Sequence, residues 1–218
     1  EQLNARLEAL LHKLLTLPVL AAQNSNAQVF CKQQLFLPYQ TVLNAGLIPR
    51  LNNQGRRPEE VLFSWLRGYS VCALFMPVIA RIFGVSESAI HLIGGDDLQD
   101  IENFKRTPTA DLCVIRAKQK FEIEFQSGFQ GINDIKEHKV RQAQRRWQDE
   151  QVATVCIHAD IFNGQLAFVR LDTITASDMN WVTRQQMEGQ SVFAIDQNHF
   201  KWRLLDTLPQ ETDLELDL

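Results

Sequence analysis

At 218 residues, with 45% hydrophobic and 22% charged side chains and only 10 Gly and 7 Pro, the chain can bury a full core, and disordered, collagenous and low-complexity classes are excluded. Its formal net charge of -4 argues against a protein that coats nucleic acid by bulk electrostatics. Five acids and no Lys or Arg fall between Asp206 and Leu218, so bases and acids elsewhere nearly balance at 22 to 21, and a localised contact with nucleic acid stays open.

The longest nearly uncharged apolar run, Gly68 to Ala80, is bounded by Arg67 and Arg81 and holds Pro77. It is shorter than the roughly 20 residues a membrane span needs, so no membrane partner is expected. Cys31, Cys72, Cys113 and Cys156 form no C-x-x-C pair and read as buried small hydrophobes in a reducing compartment. With no signal peptide or lipidation motif, the expected location is the cytoplasm.

In chain order, Leu3, Leu7, Leu10, Leu11 and Leu14 recur at helical spacing, and a second helical stretch runs from about Ala27 to Ala45, interrupted at Pro38. Arg57-Pro58-Glu59-Glu60 has the composition of a helix start, and the apolar stretch to Phe83 predicts a buried helix broken near Pro77. Strands are expected at Ala89 to Ile93 and Asp111 to Ile115. Phe121-Glu122-Ile123-Glu124-Phe125-Gln126 alternates strictly, the period of a strand with one apolar and one polar face. After a Gly128 to Gly131 loop, Asp134 and Glu137 have capping-box spacing ahead of a helix striped by Ile132, Ile135, Val140, Ala143 and Trp147. Val152 to Ile161 and Leu166 to Leu171 read as strands joined by an Asn163-Gly164 turn. A helix at Ser177 to Met187 and strands at Val192 to Ile195 and Phe200 to Leu205 complete the reading.

A two-residue turn at Lys118-Gln119 would set Asp111 opposite Gln126 and Cys113 opposite Glu124. Asp111, Glu122, Glu124 and Gln126 then share one face, with Leu112, Val114, Phe121, Ile123 and Phe125 on the other. Neighbouring carboxylates repel unless something positive joins them, and hard oxygen donors favour Mg²⁺ or Mn²⁺. The helix that follows carries Lys136, Lys139, Arg141, Arg145 and Arg146 near its start and along its length, a composition suited to holding phosphates.

On these residues the sequence resembles the PD-(D/E)XK nuclease superfamily over about Ala89 to Ile161. Asp111 matches the first acid, preceded by Ala110 in place of Pro, and Glu124-Phe125-Gln126 matches (Asp/Glu)-x-Lys with Gln in place of Lys. The resemblance implies Mg²⁺-dependent hydrolysis of a DNA phosphodiester, with Asp111 and Glu124 as metal ligands, and Asp111, Glu124 and Gln126 as the catalytic set. Gln126 would orient water or the metal shell, and Lys136 or Lys139 would supply the missing cation from the helix. A Glu from an N-terminal helix would complete the site, with Glu59, Glu60 and Glu102 available. Lys136, Lys139, Arg141 and Arg145 would contact double-stranded DNA.

The expectation is therefore an α/β protein with a mixed central β-sheet flanked by helices, taken as one domain: a helical section 1-85, a nuclease-like core 86-205 and an acidic tail 206-218. Its expected function is that of a type II restriction enzyme acting as a homodimer on a short site. The alternatives are a catalytically inactive DNA-binding relative and a structure-selective DNA repair nuclease. Two weaker signals are Gly94-Gly95-Asp96-Asp97, read as a polar turn, and His158-x-Asp160, read as a satisfied polar edge.

Overall fold

The computed structural model describes residues 2-22, 26-51, 57-93, 110-116, 119-128, 131-185 and 189-218. The chain forms two compact units, one from Glu1-Ile79 with Gly95-Lys105, the other from Ala80-Gly94 with Arg106-Leu218.

The described part of the first unit is helical. Helix α1 (Gln2-Leu14) buries Leu7, Leu11 and Leu14, one stripe at helical spacing. A short α2 (Pro18-Ala21) follows. The Asn26 side chain caps α3 (Ala27-Cys31) by accepting from the Gln28 and Val29 N-H groups at 3.0 and 3.1 Å. A π-turn at Lys32-Phe36 leads without a break into α4 (Leu37-Asn44), with Pro38 at the α4 start directly after the widened turn. The expected interruption is thus a change of helical pitch. Helix α5 (Pro58-Ile82) runs unbroken through Pro77, against the break expected there. At 25 residues, with a mean hydropathy of 1.4 over its most apolar window, it is long and apolar enough to cross a membrane by length and composition, and 56% of that window is buried within the protein.

The second unit is built on a six-stranded mixed sheet in the order β1-β2-β3-β5-β6-β9. Its strands are β1 (Ile90-Leu92), β2 (Leu112-Arg116), β3 (Gln119-Gly128), β5 (Ala153-Asp160), β6 (Gln165-Arg170) and β9 (Phe200-Arg203). All neighbours are antiparallel except β3 and β5, which the crossover helix α6 (Glu137-Glu150) makes parallel. A second sheet, β4-β8-β7, joins Asp134-Lys136, Gln190-Ala194 and Trp181-Arg184. The mixed α/β architecture with an N-terminal helical section is the one the sequence pattern implies. Leu112, Val114, Phe121, Ile123, Val155 and Phe168 are buried, and the Phe83 ring lies 5.0 Å from that of Phe121. All eight residues of β5 are buried, as a central strand covered on both faces requires.

Three expectations need correction. The β2-β3 register sets Cys113 opposite Glu122 and Arg116 opposite Gln119, two residues away from the register expected, so the connection is 117-118. A slip of two keeps every side chain on its face. Of the helix expected at Ser177 to Met187, the described part to Gln185 is not one: Trp181, Val182 and Thr183, residue types that favour strands, pair with β8, and the Trp181 ring meets Phe193 edge-on at 5.8 Å. The Asp134-Glu137 capping box is absent too. Helix α6 begins at Glu137 with no side-chain cap, and Asp134 lies on β4, where the Arg184 guanidinium donates to both of its oxygens at 2.9 and 3.0 Å. Residues 206-218 pack against the second unit, with Leu214 and Leu216 buried, Glu211 paired with Arg116 and Glu215 with Lys201.

Candidate active site

Asp111 enters β2 anchored at three points. Its N-H donates to the Ile123 carbonyl at 3.0 Å, its carbonyl accepts from the Ile93 N-H at 2.9 Å, and its Oδ2 accepts from the Phe125 N-H at 2.7 Å. The two contacts to β3, at Ile123 and Phe125, fall on either side of Glu124, so Asp111 lies beside Glu124 rather than Gln126, just before β2 begins. Glu124 is only 7% exposed, and the Lys139 ammonium donates to its Oε2 at 2.8 Å. Glu122, 4% exposed, accepts from the Arg146 guanidinium through both oxygens, with Lys120 Nζ at 3.7 Å.

Helix geometry explains which bases reach inward. Lys139, Ala143 and Arg146 recur at i, i+4 and i+7, so they share the face that carries buried Val140 and Ala143. Arg141 and Arg145, also four apart, are exposed on the other side, where Arg141 pairs with Glu137 at 2.5 Å. Lys136 is exposed at the end of β4. Of the four bases expected to contact DNA, Lys139 is thus already engaged by a carboxylate of the site. Burial pulls the Lys139 pKa down, but Glu124, its hydrogen bond and Asp111 outweigh that, and the net shift is upward. Ala110, Glu122, Glu124, Lys139, Arg146 and Thr154 line a small recess between the sheet and α6.

No family model matches the chain. No curated protein matches it either. Among solved structures the chain is similar to Hjc of Archaeoglobus fulgidus, a Holliday junction resolvase from an archaeal hyperthermophile. The similarity has a TM-score of 0.37 and 11% sequence identity, covering 59% of this chain and 86% of that one. The chemistry of the site stands on its own residues.

Gln126, half-buried, lies two residues beyond Glu124 and beside His158 in the parallel register. Here the sequence pointed to one dipeptide pattern and the structure shows a network. Asn133 Nδ2 donates to Asp160 Oδ2 at 3.2 Å, which turns Asn133 Oδ1 to His158 Nε2 at 2.9 Å. This pattern assigns the proton to Nε2 and leaves buried Nδ1 without a hydrogen-bond partner among the described residues. A Cβ on Gly128 would come within 2.6 Å of that Nε2, so only glycine fits there. Asn133 had no sequence signal, because its partners are 25 and 27 residues away. Of the acids proposed to complete the site, Glu60 is paired with Arg57 at 2.6 Å and Glu59 lies beside it in the first unit, while Glu102 and the Gly94-Gly95-Asp96-Asp97 turn lie outside the described residues.

Burial, only partly offset by Asp160 and Asp134, lowers the His158 pKa from 6.5 to about 4. The folded protein therefore holds this ring neutral while the unfolded chain takes up a proton, so its contribution is complete above pH 6.5 and is lost as pH falls toward 4. Between neutral pH and pH 4 the unfolding free energy should fall by about 2-3 kcal/mol through this residue, measured by denaturant titration. His158→Gln, which cannot titrate, should remove that part of the slope; an unaltered slope would assign the loss to other groups.

Proposed function

We propose that this chain is a Mg²⁺-dependent endonuclease that hydrolyses DNA phosphodiester bonds. The observation that supports the reading is Asp111 bonded to Ile123 and Phe125, the residues flanking Glu124, with the Lys139 ammonium on Glu124. A two-carboxylate donor set fits Mg²⁺, which keeps several waters and is completed by substrate phosphate oxygens rather than by an all-protein cage. Among the described residues no group of three His, Cys, Asp or Glu forms such a cage. Asp111 and Glu124 would hold the cation, which would lower the pKa of an attacking water and offer positive charge to the scissile phosphate.

The chain's own residues do the rest. Lys139, whose ammonium donates to Glu124, would supply the cation that the Glu-x-Gln strand lacks and share it with a phosphate oxygen. Gln126 orients water through its amide, and Lys136, Arg141 and Arg145 on exposed surface take flanking phosphates. Cutting both strands of a short palindrome, as a type II restriction enzyme does, requires two such sites on a two-fold axis and hence a homodimer.

Incubation with supercoiled plasmid and with a branched duplex tests the reading. Cleavage that requires Mg²⁺ and stops with chelator is expected; discrete plasmid bands would assign restriction-type specificity, and cutting confined to the branch a structure-selective nuclease. Binding with no cutting in Mg²⁺ or Mn²⁺ would replace the nuclease by a DNA-binding module.

A further inference from the structure

Beyond Asp160 the β5-β6 turn exposes Phe162 to 74% of its surface. The turn beneath it is tied by hydrogen bonds to one carboxylate. Asp160, fully buried, accepts from the Asn163 N-H at 3.1 Å, Asn163 Nδ2 at 2.7 Å, Asn133 Nδ2 at 3.2 Å and Gln165 Nε2 at 3.3 Å. Two more exposed apolar side chains lie at this end of the sheet. Leu205, 81% exposed, follows Leu204, whose N-H donates to the Gly164 carbonyl at 2.9 Å, and Ile132, 51% exposed, precedes Asn133. Register places Asp160 opposite Gln165 and Gln165 opposite Arg203, an exposed arginine with no ion pair among the described residues. These partners share the sheet face of Glu124 and Gln126, since paired residues lie on one side.

We propose that the β5-β6 turn presents Phe162 as a stacking platform for an unpaired base, with Arg203 taking an adjoining phosphate, so that the preferred DNA carries unstacked bases at a branch or flap. The inference rests on the nuclease reading for its ligand class and adds substrate selection to it. An exposed aromatic ring and an exposed arginine with no ion pair among the described residues, both at one end of the sheet, are a combination that suits single-stranded nucleic acid, because every base offers a π-face and every nucleotide a phosphate. A second copy of the chain fits less well: three side chains offer far less than the ~800 Å² per partner of a stable interface. Along β5, Phe162 lies six residues past Cys156, the register partner of Glu124. At ~3.3 Å per residue the ring is roughly 15-20 Å from the carboxylates, about five nucleotides along a strand.

The test uses the full chain with Ca²⁺ in place of Mg²⁺ and oligonucleotides carrying 2-aminopurine, either unpaired at a flap junction or within an uninterrupted duplex. Binding should quench the flap probe. Phe162→Ala should abolish the quenching and weaken flap affinity roughly 5- to 100-fold, the range of one base-aromatic stack, while duplex affinity changes less than about 2-fold. Phe162→Tyr should restore both. Equal flap affinity in Phe162→Ala, or an equal loss on flap and duplex, would overturn the proposal, as would a fall in sedimentation coefficient showing a lost protein contact. Unchanged quenching in Phe162→Ala with Mg²⁺-dependent cleavage intact would sink this inference alone; quenching lost in that variant, with no cleavage by the parent, would sink the nuclease chemistry and keep the platform.

Discussion

Asp111→Asn and Glu124→Gln should each lower Mg²⁺-dependent DNA cleavage at least ~10²-fold, equivalent to about 2.7 kcal/mol of transition-state stabilisation. Both substitutions keep shape and remove one charge. In Asp111→Asn the new amide oxygen can still accept the Phe125 N-H, so the anchor that positions this side chain survives. In Glu124→Gln the amide oxygen can still accept from Lys139, which would lose its ionic partner but not its hydrogen bond. Circular dichroism and binding measured in Ca²⁺ should therefore resemble those of the parent, and affinity should rise where carboxylate-phosphate repulsion is relieved. Cleavage at close to the parent rate by either variant would remove these two residues from the site.

Lys139→Met carries the second large effect, on stability as well as on turnover. It leaves Glu124 buried at 7% exposure without the cation now 2.8 Å away, and breaking one side of a buried pair costs about 3-5 kcal/mol. With a fifth to a quarter of the Lys139 side chain exposed, the lower end of that range applies. The Lys139 pKa is raised, so the contribution is present throughout the range below the ordinary lysine value of 10.5 and is lost only as pH climbs past it through the raised one. Denaturant titration of the variant and the parent should accordingly give a constant gap from neutral pH to about pH 10 and a narrowing gap above. Adding Glu124→Gln to Lys139→Met should recover most of the stability and none of the cleavage, because it removes the stranded charge without restoring the cation. A double variant as unstable as the single one would show that Lys139 acts through packing.

The alternation from Phe121 to Gln126 was enough to place Glu122, Glu124 and Gln126 on one face, since period two survives any even slip of register. It could not place Asp111 beside Glu124. That depended on whether the turn fell at 117-118 or one residue later, and nothing in Arg116-Ala117-Lys118-Gln119 decides between them. The basic character of α6 was plain, but its division into inward and outward bases depended on the side of Val140 and Ala143 to which each residue falls, a matter of about 100° per residue. Trp181-Val182-Thr183 shows the opposite failure. Its strand-favouring side chains were there to read, yet the segment gained its partner only from β8, beyond residues 186-188. Asn133 and Arg146 reach Asp160 and Glu122 across 27 and 24 residues, and no local pattern encodes such pairings.

The order of connection through β2, β3, α6 and β5 also bears on how the unit assembles. The β2-β3 hairpin closes over a two-residue connection, whereas pairing Phe121 with Ala153 needs a loop of about thirty residues and a formed helix. Hairpins form in roughly 1-10 μs, well before such a crossover can close. On that order the hairpin brings Asp111 beside Glu124 while Lys139 is still remote, and neighbouring like charges oppose pairing. Docking of α6 would then do two things at once: carry the chain across to β5 and bring the Lys139 ammonium to Glu124, relieving the repulsion within the hairpin.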